Sequence, residues 1–321
     1  MVGQLFHIAR YALIEALRQP VYVVILLLVA GLLLANPTLS KFTLDDDNKL
    51  LIDLGLSTTL LGGVILGAFA ASGLLRREIE EGSLLTILSK PISRGLLLAG
   101  KFIGVTAAVT LALWIWMLIY LLSLRQGVFQ SAVDQADGPV LAFGSAAAVL
   151  SFLWAVTANF FRSKNFGAQL ALSLGVLLTV AYGAVLVTRP DWTFQPIQSD
   201  LDPQVLAALL LATEVTWIFC AVAVCAATRL GQMSTLSLCI ILFLIGLGSD
   251  SLLGNLAESN ALAALLHHVV PNLQFLWLAD ALTQSHPISA NYVLLVSAYA
   301  AAFVLAALFL ALALFQTKEV R

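Results

Sequence analysis

Charged residues are scarce in this sequence. They make up 11% of the 321 residues, whereas 60% are hydrophobic, and ordinary soluble domains carry about 25% charged residues. The polar side chains are too few to cover the surface of a water-soluble protein of this size. The composition therefore excludes a soluble globule and predicts that most of the chain faces lipid. The formal net charge of -2 also excludes nucleic-acid binding through overall basicity.

Cysteine is rare as well. Cys220, Cys225 and Cys239 all lie inside apolar runs, and their spacing matches neither a zinc site nor a disulfide framework. We expect them to be small, buried residues of membrane helices.

Eight apolar runs are long enough to cross a membrane as helices, for which about 20 residues are needed. The sequence thus predicts an all-α, polytopic membrane helix bundle with about eight transmembrane helices. We expect residues 1–321 to form a single transmembrane domain. The predicted spans are 20–36, 55–75, 96–124, 139–161, 166–188, 204–227, 233–249 and 291–316.

A ninth apolar stretch, 261–283, is interrupted by polar residues and by Pro271. We interpret 250–290 as an outer loop with short interfacial helices. Phe275 and Trp277 are expected at the headgroup level, where aromatic rings are enriched.

The placement of basic residues predicts the orientation, because cytoplasmic loops are enriched in Lys and Arg. Eight spans with a cytoplasmic N-terminus place twelve of the sixteen Lys and Arg residues inside. We therefore expect a multi-pass protein of the cell (inner) membrane with cytoplasmic N- and C-termini. The first apolar run lacks a cleavage site and is expected to anchor the chain. The basic residues left outside are Lys41, Lys49, Arg125 and Arg189.

Residues 4–18 are amphipathic with a helical period. We expect an elbow helix that lies in the membrane interface, because Pro20 favours a break before the first span. The alternative is a simple helical extension of that span. The predicted apolar face contains Leu5, Ile8, Ala12, Leu13, Ala16 and Leu17.

The longest predicted cytoplasmic loop, 76–95, holds the densest charge in the chain. Its acidic start is followed by a short amphipathic segment between Gly82 and Pro91, where the proline ring ends any helix. Such a segment is suited to docking onto another protein. The alternative is a solvated connector that carries positive-inside charges.

The run from Arg77 to Arg94, with Gly100 and Lys101 opening the next span, resembles the first cytoplasmic loop of ABC type 2 transporter permeases. It is most similar to the permease group associated with multi-copper enzyme maturation. The elbow and the segment 270–273 (Val-Pro-Asn-Leu) are similar to that group too. The sequence departs from the usual six spans by two additional ones, around 166–227.

This resemblance implies the membrane-spanning permease subunit of an ATP-binding cassette exporter, in which the loop forms a coupling helix docked on a separate cytoplasmic P-loop ATPase. ATP and Mg²⁺ would then belong to the ATPase, with no cofactor in this chain. A second permease copy, identical or different, and membrane lipids are the other implied partners. The residues carried over are Glu78, Glu80, Glu81 and Gly82 at the start of the coupling element, and Ser89, Pro91 and Arg94 at its end.

Residues 95–101 match the first seven positions of a phosphate-binding P-loop. Phe102 stands where a Ser or Thr hydroxyl would hold magnesium, and the run leads into an apolar span instead of following a strand. We expect no nucleotide site here. Lys101 is expected to reach the headgroups at the cytoplasmic mouth of the third span.

Glu214 is the only acid well inside a predicted span, near the middle of the bilayer. An ionised group at that depth costs about 2.5–3.5 kcal/mol on insertion scales, so the side chain should face protein or water, or be protonated. Two roles stay open: part of a translocation path, or a structural hydrogen bond to another span.

No metal site is expected. His267 and His268 with Asp280 or His286 match no metal motif, and the acidic run 45–47 lacks the ligand spacing of a calcium loop. Gly63 and Gly67, at GxxxG spacing, predict close packing of the second span against a neighbouring helix, within or between protomers.

Two other classes compete with the transporter subunit: a multi-span membrane enzyme, and a secondary transporter or channel without an ATPase partner. The sequence has no HExxH motif, nucleophile elbow or paired intramembrane carboxylates. It also shows no internal repeat of the kind found in secondary transporters. We therefore expect a non-catalytic transport subunit.

Overall fold

The computed structural model describes residues 2–41, 47–80, 93–128, 136–197, 202–249, 264, 270–284 and 286–316, without the side chains of residues 47 and 74–80. Ten α-helices account for most of these residues, and the described chain contains no β-strand beyond one isolated bridge between Thr188 and Phe194. The helices are α1 (Val2–Arg18), α2 (Pro20–Ser40), α3 (Asp47–Glu80), α4 (Arg94–Gln126), α5 (Gly138–Arg162), α6 (Phe166–Leu186), α7 (Pro203–Ala227), α8 (Gln232–Leu247), α9 (Ala279–Thr283) and α10 (Ala290–Gln316).

Seven of these helices are long and apolar enough to cross a membrane, namely α2 to α7 and α10. They coincide with seven of the eight predicted spans, and the predicted helical membrane bundle is confirmed. The remaining predicted span, 233–249, is α8, a shorter apolar helix of 16 residues.

The start of several helices is determined by local sequence. A side-chain oxygen at each N-cap accepts a hydrogen bond from a backbone N–H of the first turn, which would otherwise have no partner. Asp137 does this for Val140, and Ser93 does it for Leu96. Proline in the first turn fixes the backbone for helix entry at α2, α5 and α7.

The helix directions follow from hydrogen bonds between α2 and α4. Three positions of α4 bond to three positions of α2 in the same order along both helices, so the two helices run parallel. Each bond joins a side chain to a carbonyl oxygen that also belongs to a helix, which ties the two spans together inside the apolar layer. The bonds are Tyr22 to Ala108 (2.8 Å), Trp116 to Leu26 (3.0 Å) and Ser123 to Leu33 (3.1 Å).

Helices α7 and α10 also run parallel. Glu214 contacts Ser297, and further along both helices Arg229 bonds to the carbonyl of Leu314. The chain between two parallel spans must cross the bundle an odd number of times. In the described part of that chain α8 makes the crossing: it starts near Gly73, at the end of the α3 span, and finishes against Pro271. Among the described residues, α8 is therefore consistent with an eighth crossing, and α10 ends at the same end of the bundle as α1.

Helix α1 ends at Arg18, before Pro20, and its position in the membrane interface stays a prediction. Gln19 is extended (ψ 129°) and separates α1 from α2. Ala12, Ala16 and Leu17 are buried, while Phe6 and Tyr11 are each 65% exposed. The buried face packs on α4, where a Cβ at Gly104 would lie 2.6 Å from that of Ala12.

The predicted GxxxG contact is formed within one protomer, between α3 and α7. A Cβ on Gly63 would collide with Thr216 and lie 3.0 Å from Leu113, and one on Gly67 would lie 2.8 Å from the sulfur of Cys220. The three cysteines are free and buried, as predicted.

Arg125, at the end of α4, holds three helices together at the end of the bundle opposite α1. It forms a 3.0 Å ion pair with Asp137, which itself caps α5. Its guanidinium also donates to the carbonyls of Val185 and Thr188 at the end of α6. Both charged side chains are almost fully buried, 11% and 7% exposed, so we expect that removing either one leaves the other charge uncompensated.

The described part of the segment expected as an outer loop packs against the bundle. Leu273 and Leu276 are 1% and 2% exposed, and the Tyr299 hydroxyl of α10 accepts a hydrogen bond from the Asn272 backbone N–H (2.9 Å). Phe275 remains exposed, consistent with its expected place at the headgroup level. Polar backbone near the apolar layer needs partners, and α8 and α10 supply them.

We predict that Gly63→Leu destabilises the protein, because the added side chain overlaps α7. Overpacking of this kind costs about 1–3 kcal/mol. The matched control is Gly31→Leu on α2, where an added Cβ meets nothing within 4 Å. Melting temperatures of the purified variants, from fluorescence-detected size-exclusion chromatography after heating, should fall for Gly63→Leu alone. Equal melting temperatures would contradict the α3–α7 contact.

Candidate functional site

Glu214 lies near the middle of α7 and is 8% exposed. The Ser297 hydroxyl of α10 donates a hydrogen bond to its carboxylate. The second oxygen, Oε2, is buried and has no hydrogen-bond partner within the described residues. A buried carboxylate oxygen without a donor is unfavourable, because no water replaces the missing bond in the apolar layer.

Glu214 contributes to the lining of a cavity of about 650 Å³ between α4, α7 and α10. Thr106, Thr110 and Ser297 add hydroxyl groups to the lining, and the other lining side chains are aliphatic or aromatic. The cavity opens toward the outside of the bundle between Ile103 (45% exposed) and Leu305 (56% exposed). It therefore combines an apolar wall with one acid and a few hydroxyls.

Trp217 forms one side of this cavity, one helical turn beyond Glu214. Its indole N–H donates to the Thr110 hydroxyl (2.9 Å), and that hydroxyl donates to the carbonyl of Thr106 (2.7 Å). The two bonds hold the ring between α7 and α4. Trp217 is thus a fixed aromatic surface next to the carboxylate.

No basic residue belongs to the lining of the cavity in the described chain. An ionised Glu214 has no countercharge there, and a charge at this depth costs about 2.5–3.5 kcal/mol on insertion scales. The two roles left open by the sequence are both compatible with the geometry: Ser297 provides the interhelical hydrogen bond, and the cavity provides space beside the acid.

The residues expected to couple to an ATPase lie at or between the ends of α3 and α4. Glu78 and Glu80 belong to the last turn of α3, which continues beyond the apolar span that ends at Gly73. The expected loop 76–95 is therefore helical where its two ends are described, at 76–80 and at 94–95. Glu81, Gly82, Ser89 and Pro91 lie outside the described residues, as does the predicted coupling helix.

Arg94 is the first residue of α4, directly after that segment. Its guanidinium donates to the carbonyls of Phe315 (2.9 Å) and Gln316 (3.0 Å) and lies 5.7 Å from the centre of the Phe315 ring. Arg229 donates to the neighbouring carbonyl of Leu314 (2.9 Å). The last carbonyls of a helix lack intrahelical partners and attract cations, so both arginines stabilise the end of α10.

The P-loop resemblance of residues 95–101 does not correspond to a phosphate-binding loop. The residues are part of the first two turns of the continuous helix α4 and do not form a loop. Lys101 does not reach the headgroups as expected: it is 3% exposed and interacts electrostatically with Glu15 of the elbow. The elbow covers this side chain because Gly100 and Gly104 let α1 approach closely.

The histidine and acidic groups considered for metal binding do not form a site where the structure describes them. His267 and His268 lie outside the described residues, His286 is exposed, and Asp280 is near Asp53. The described residues contain no group of three or more His, Cys, Asp or Glu that could hold a metal ion.

These features define a multi-pass integral membrane protein with a cavity between its spans, a polar cluster inside the apolar layer, and arginine-capped helix ends. A comparison with protein families matches residues 7–320 to the ABC-2 family transporter protein family. The chain belongs to this family and is a permease subunit of an ABC transporter. No curated protein matches it.

We predict that Arg94→Met loosens the end of α10. A hydrogen bond to a charged group contributes about 1.5–3 kcal/mol, and two such bonds are lost. Hydrogen–deuterium exchange followed by mass spectrometry should show faster exchange in residues 308–316. Arg162→Met, at the exposed end of α5, is the matched control and should leave this exchange unchanged. Identical exchange in both variants would contradict the role of Arg94.

Proposed function

We propose that this permease exports its substrate and is driven by a separate cytoplasmic ATPase, which docks on the segment between α3 and α4. ATP and Mg²⁺ are bound by that ATPase. Family membership supports the general arrangement, since ABC-2 permeases work with such a partner. The proposed docking residues are Glu78, Glu80, Glu81, Gly82, Ser89, Pro91 and Arg94. Within the family, we assign the chain to the permease group associated with multi-copper enzyme maturation.

The observation that carries this proposal is the bond between Arg94 and the end of α10. Arg94 follows the docking segment without a gap, and α10 lines the Glu214 cavity. A displacement of the docking segment therefore acts on two cavity walls at once: on α4 directly, and on α10 through Arg94. Interfaces of this kind switch between discrete arrangements, as expected for a transport cycle.

The protein is proposed to lie in the cell (inner) membrane. In the proposed orientation, the α1 end of the bundle faces the cytoplasm. Described basic residues are more numerous at that end, as positive-inside placement requires. Those at the α1 end are Arg10, Arg18, Arg76, Arg77, Arg94, Lys101, Arg162, Lys164 and Arg229, and those at the opposite end are Lys41, Lys49, Arg125 and Arg189.

A second permease copy is the proposed partner within the membrane. Family membership supports this, because ABC-2 permeases generally dimerise. Lipids cover the remaining apolar surface, including the outward side chains of α5.

We predict that Glu80→Lys combined with Glu81→Lys abolishes association with the ATPase, because the reversed charges oppose docking. The affinity-tagged wild-type chain is purified from its native membranes, and the P-loop subunit in the eluate is identified by mass spectrometry. Its recovery should fall at least tenfold in the double variant.

The control for that experiment is Asp191→Lys, a single charge reversal at an exposed acid between α6 and α7, at the opposite end of the bundle. It should leave ATPase recovery unchanged. Undiminished recovery with the Glu80 and Glu81 variant would overturn the docking assignment, as would a wild-type eluate that contains no P-loop ATPase.

A further inference from the structure

We propose that the Glu214 cavity binds a hydrophobic organic cation, with the positive group at the Glu214 carboxylate and the apolar body between α4 and α10. This inference rests on the proposed function, since it names the class of molecule that the permease carries. It depends on four observations: the partnerless oxygen, the lack of basic lining residues, the fixed indole and the lateral opening.

The charge of the ligand follows from the groups that Glu214 faces. Ser297 satisfies one carboxylate oxygen, and Oε2 has no donor within the described chain. No lining residue is basic. A bound cation supplies the countercharge that no lining residue provides. A neutral hydrocarbon leaves the oxygen unsatisfied, and an anion adds repulsion.

The indole of Trp217 favours the same charge. It is on the same helical face as Glu214, one turn away, and Thr110 fixes its N–H (2.9 Å). The face of an indole ring attracts cations within about 6 Å of its centre, and it does so more strongly where water is excluded. A carboxylate and an indole side by side therefore form a site for a positive group.

The lining distinguishes an organic cation from a metal ion. Calcium takes 6–8 oxygen ligands and magnesium requires near-octahedral geometry. The cavity offers one carboxylate and three hydroxyls, of which Thr110 and Ser297 are already engaged. Most of the remaining wall is aliphatic, and about 650 Å³ lies within the range of roughly 300–1,000 Å³ typical of drug-sized ligands.

The opening gives the ligand a route from the bilayer. Ile103 and Leu305 border the cavity and are about half exposed on the outside of the bundle. A hydrophobic cation dissolved in the membrane reaches this opening without passing through water. Its entry therefore requires no aqueous channel across the apolar layer.

The test uses the purified full-length chain in lipid nanodiscs, without ATP or ATPase. The probe is tetraphenylphosphonium, and tetraphenylborate is a control of the same shape and opposite charge. Binding is measured by equilibrium dialysis. We expect saturable binding of tetraphenylphosphonium to the wild type and at least a tenfold weaker affinity for Glu214→Gln, which keeps the size of the side chain and can still bond to Ser297.

Asp53→Asn is the matched variant, because it neutralises an acid of α3 that does not line this cavity; it should bind like the wild type. A second variant, Trp217→Leu, should weaken the binding of tetraphenylphosphonium and leave the partition of tetraphenylborate into the nanodiscs unchanged. Melting temperatures establish that each variant is folded. Equal affinity of wild type and Glu214→Gln, absence of saturable phosphonium binding, or saturable binding of tetraphenylborate would each overturn the proposal.

The two proposals fail separately. If the wild type recovers the ATPase and Glu214→Gln binds tetraphenylphosphonium as tightly as the wild type, only the cation site is overturned. Glu214-dependent binding in a chain that never associates with an ATPase overturns the docking assignment alone, because the binding measurement includes no other protein.

Discussion

The structure depends on one constraint: inside a bilayer no water is present to satisfy polar groups, so each must find a partner within the bundle. The bonds from Tyr22, Trp116 and Ser123 to carbonyls of neighbouring helices meet this requirement and join α2 to α4. Arg125 does the same for the ends of α4, α5 and α6. Glu214 departs from the pattern, because one of its oxygens has no donor among the described residues, and the hydroxyls of Thr106 and Thr235 are further departures. Such a departure beside a cavity indicates a functional position more than a structural one.

The same requirement connects the α1 end of the bundle to the cavity. The last carbonyls of α10 take their donors from Arg94 and Arg229, on two different helices. Arg94 opens α4, Arg229 follows α7, and α4, α7 and α10 are the three walls around Glu214. The two arginines therefore join α4 and α7 to the end of α10, and Ser297 joins α10 to α7 near the middle of the helices. A movement of the start of α4 therefore acts on all three walls.

Much of the fold was predictable from the sequence, because membrane spans depend on length and composition, which are local properties. The elbow break before Pro20 and the close approach at Gly63 and Gly67 were predicted correctly for the same reason: each follows from a residue's own steric properties. Partners distant in sequence were not predictable. Nothing local links Arg94 to Phe315, which are separated by 221 positions, or Glu214 to Ser297. Lys101 was misplaced because its burial depends on α1 lying across Gly100 and Gly104, a tertiary contact. The spacing of Gly100 and Gly104 was the one sequence feature that could have indicated this close helix contact.

The central claim is that nucleotide binding on a partner ATPase changes the Glu214 cavity through the start of α4. The most direct measurement is pulsed electron paramagnetic resonance between spin labels at Ile103 and Leu305, two exposed positions on opposite sides of the cavity opening. The assembled transporter is measured without nucleotide and with a non-hydrolysable ATP analogue. The account predicts that the analogue shifts the distance distribution, and that Arg94→Met reduces the shift. An unchanged distribution in a complex that still transports would contradict it.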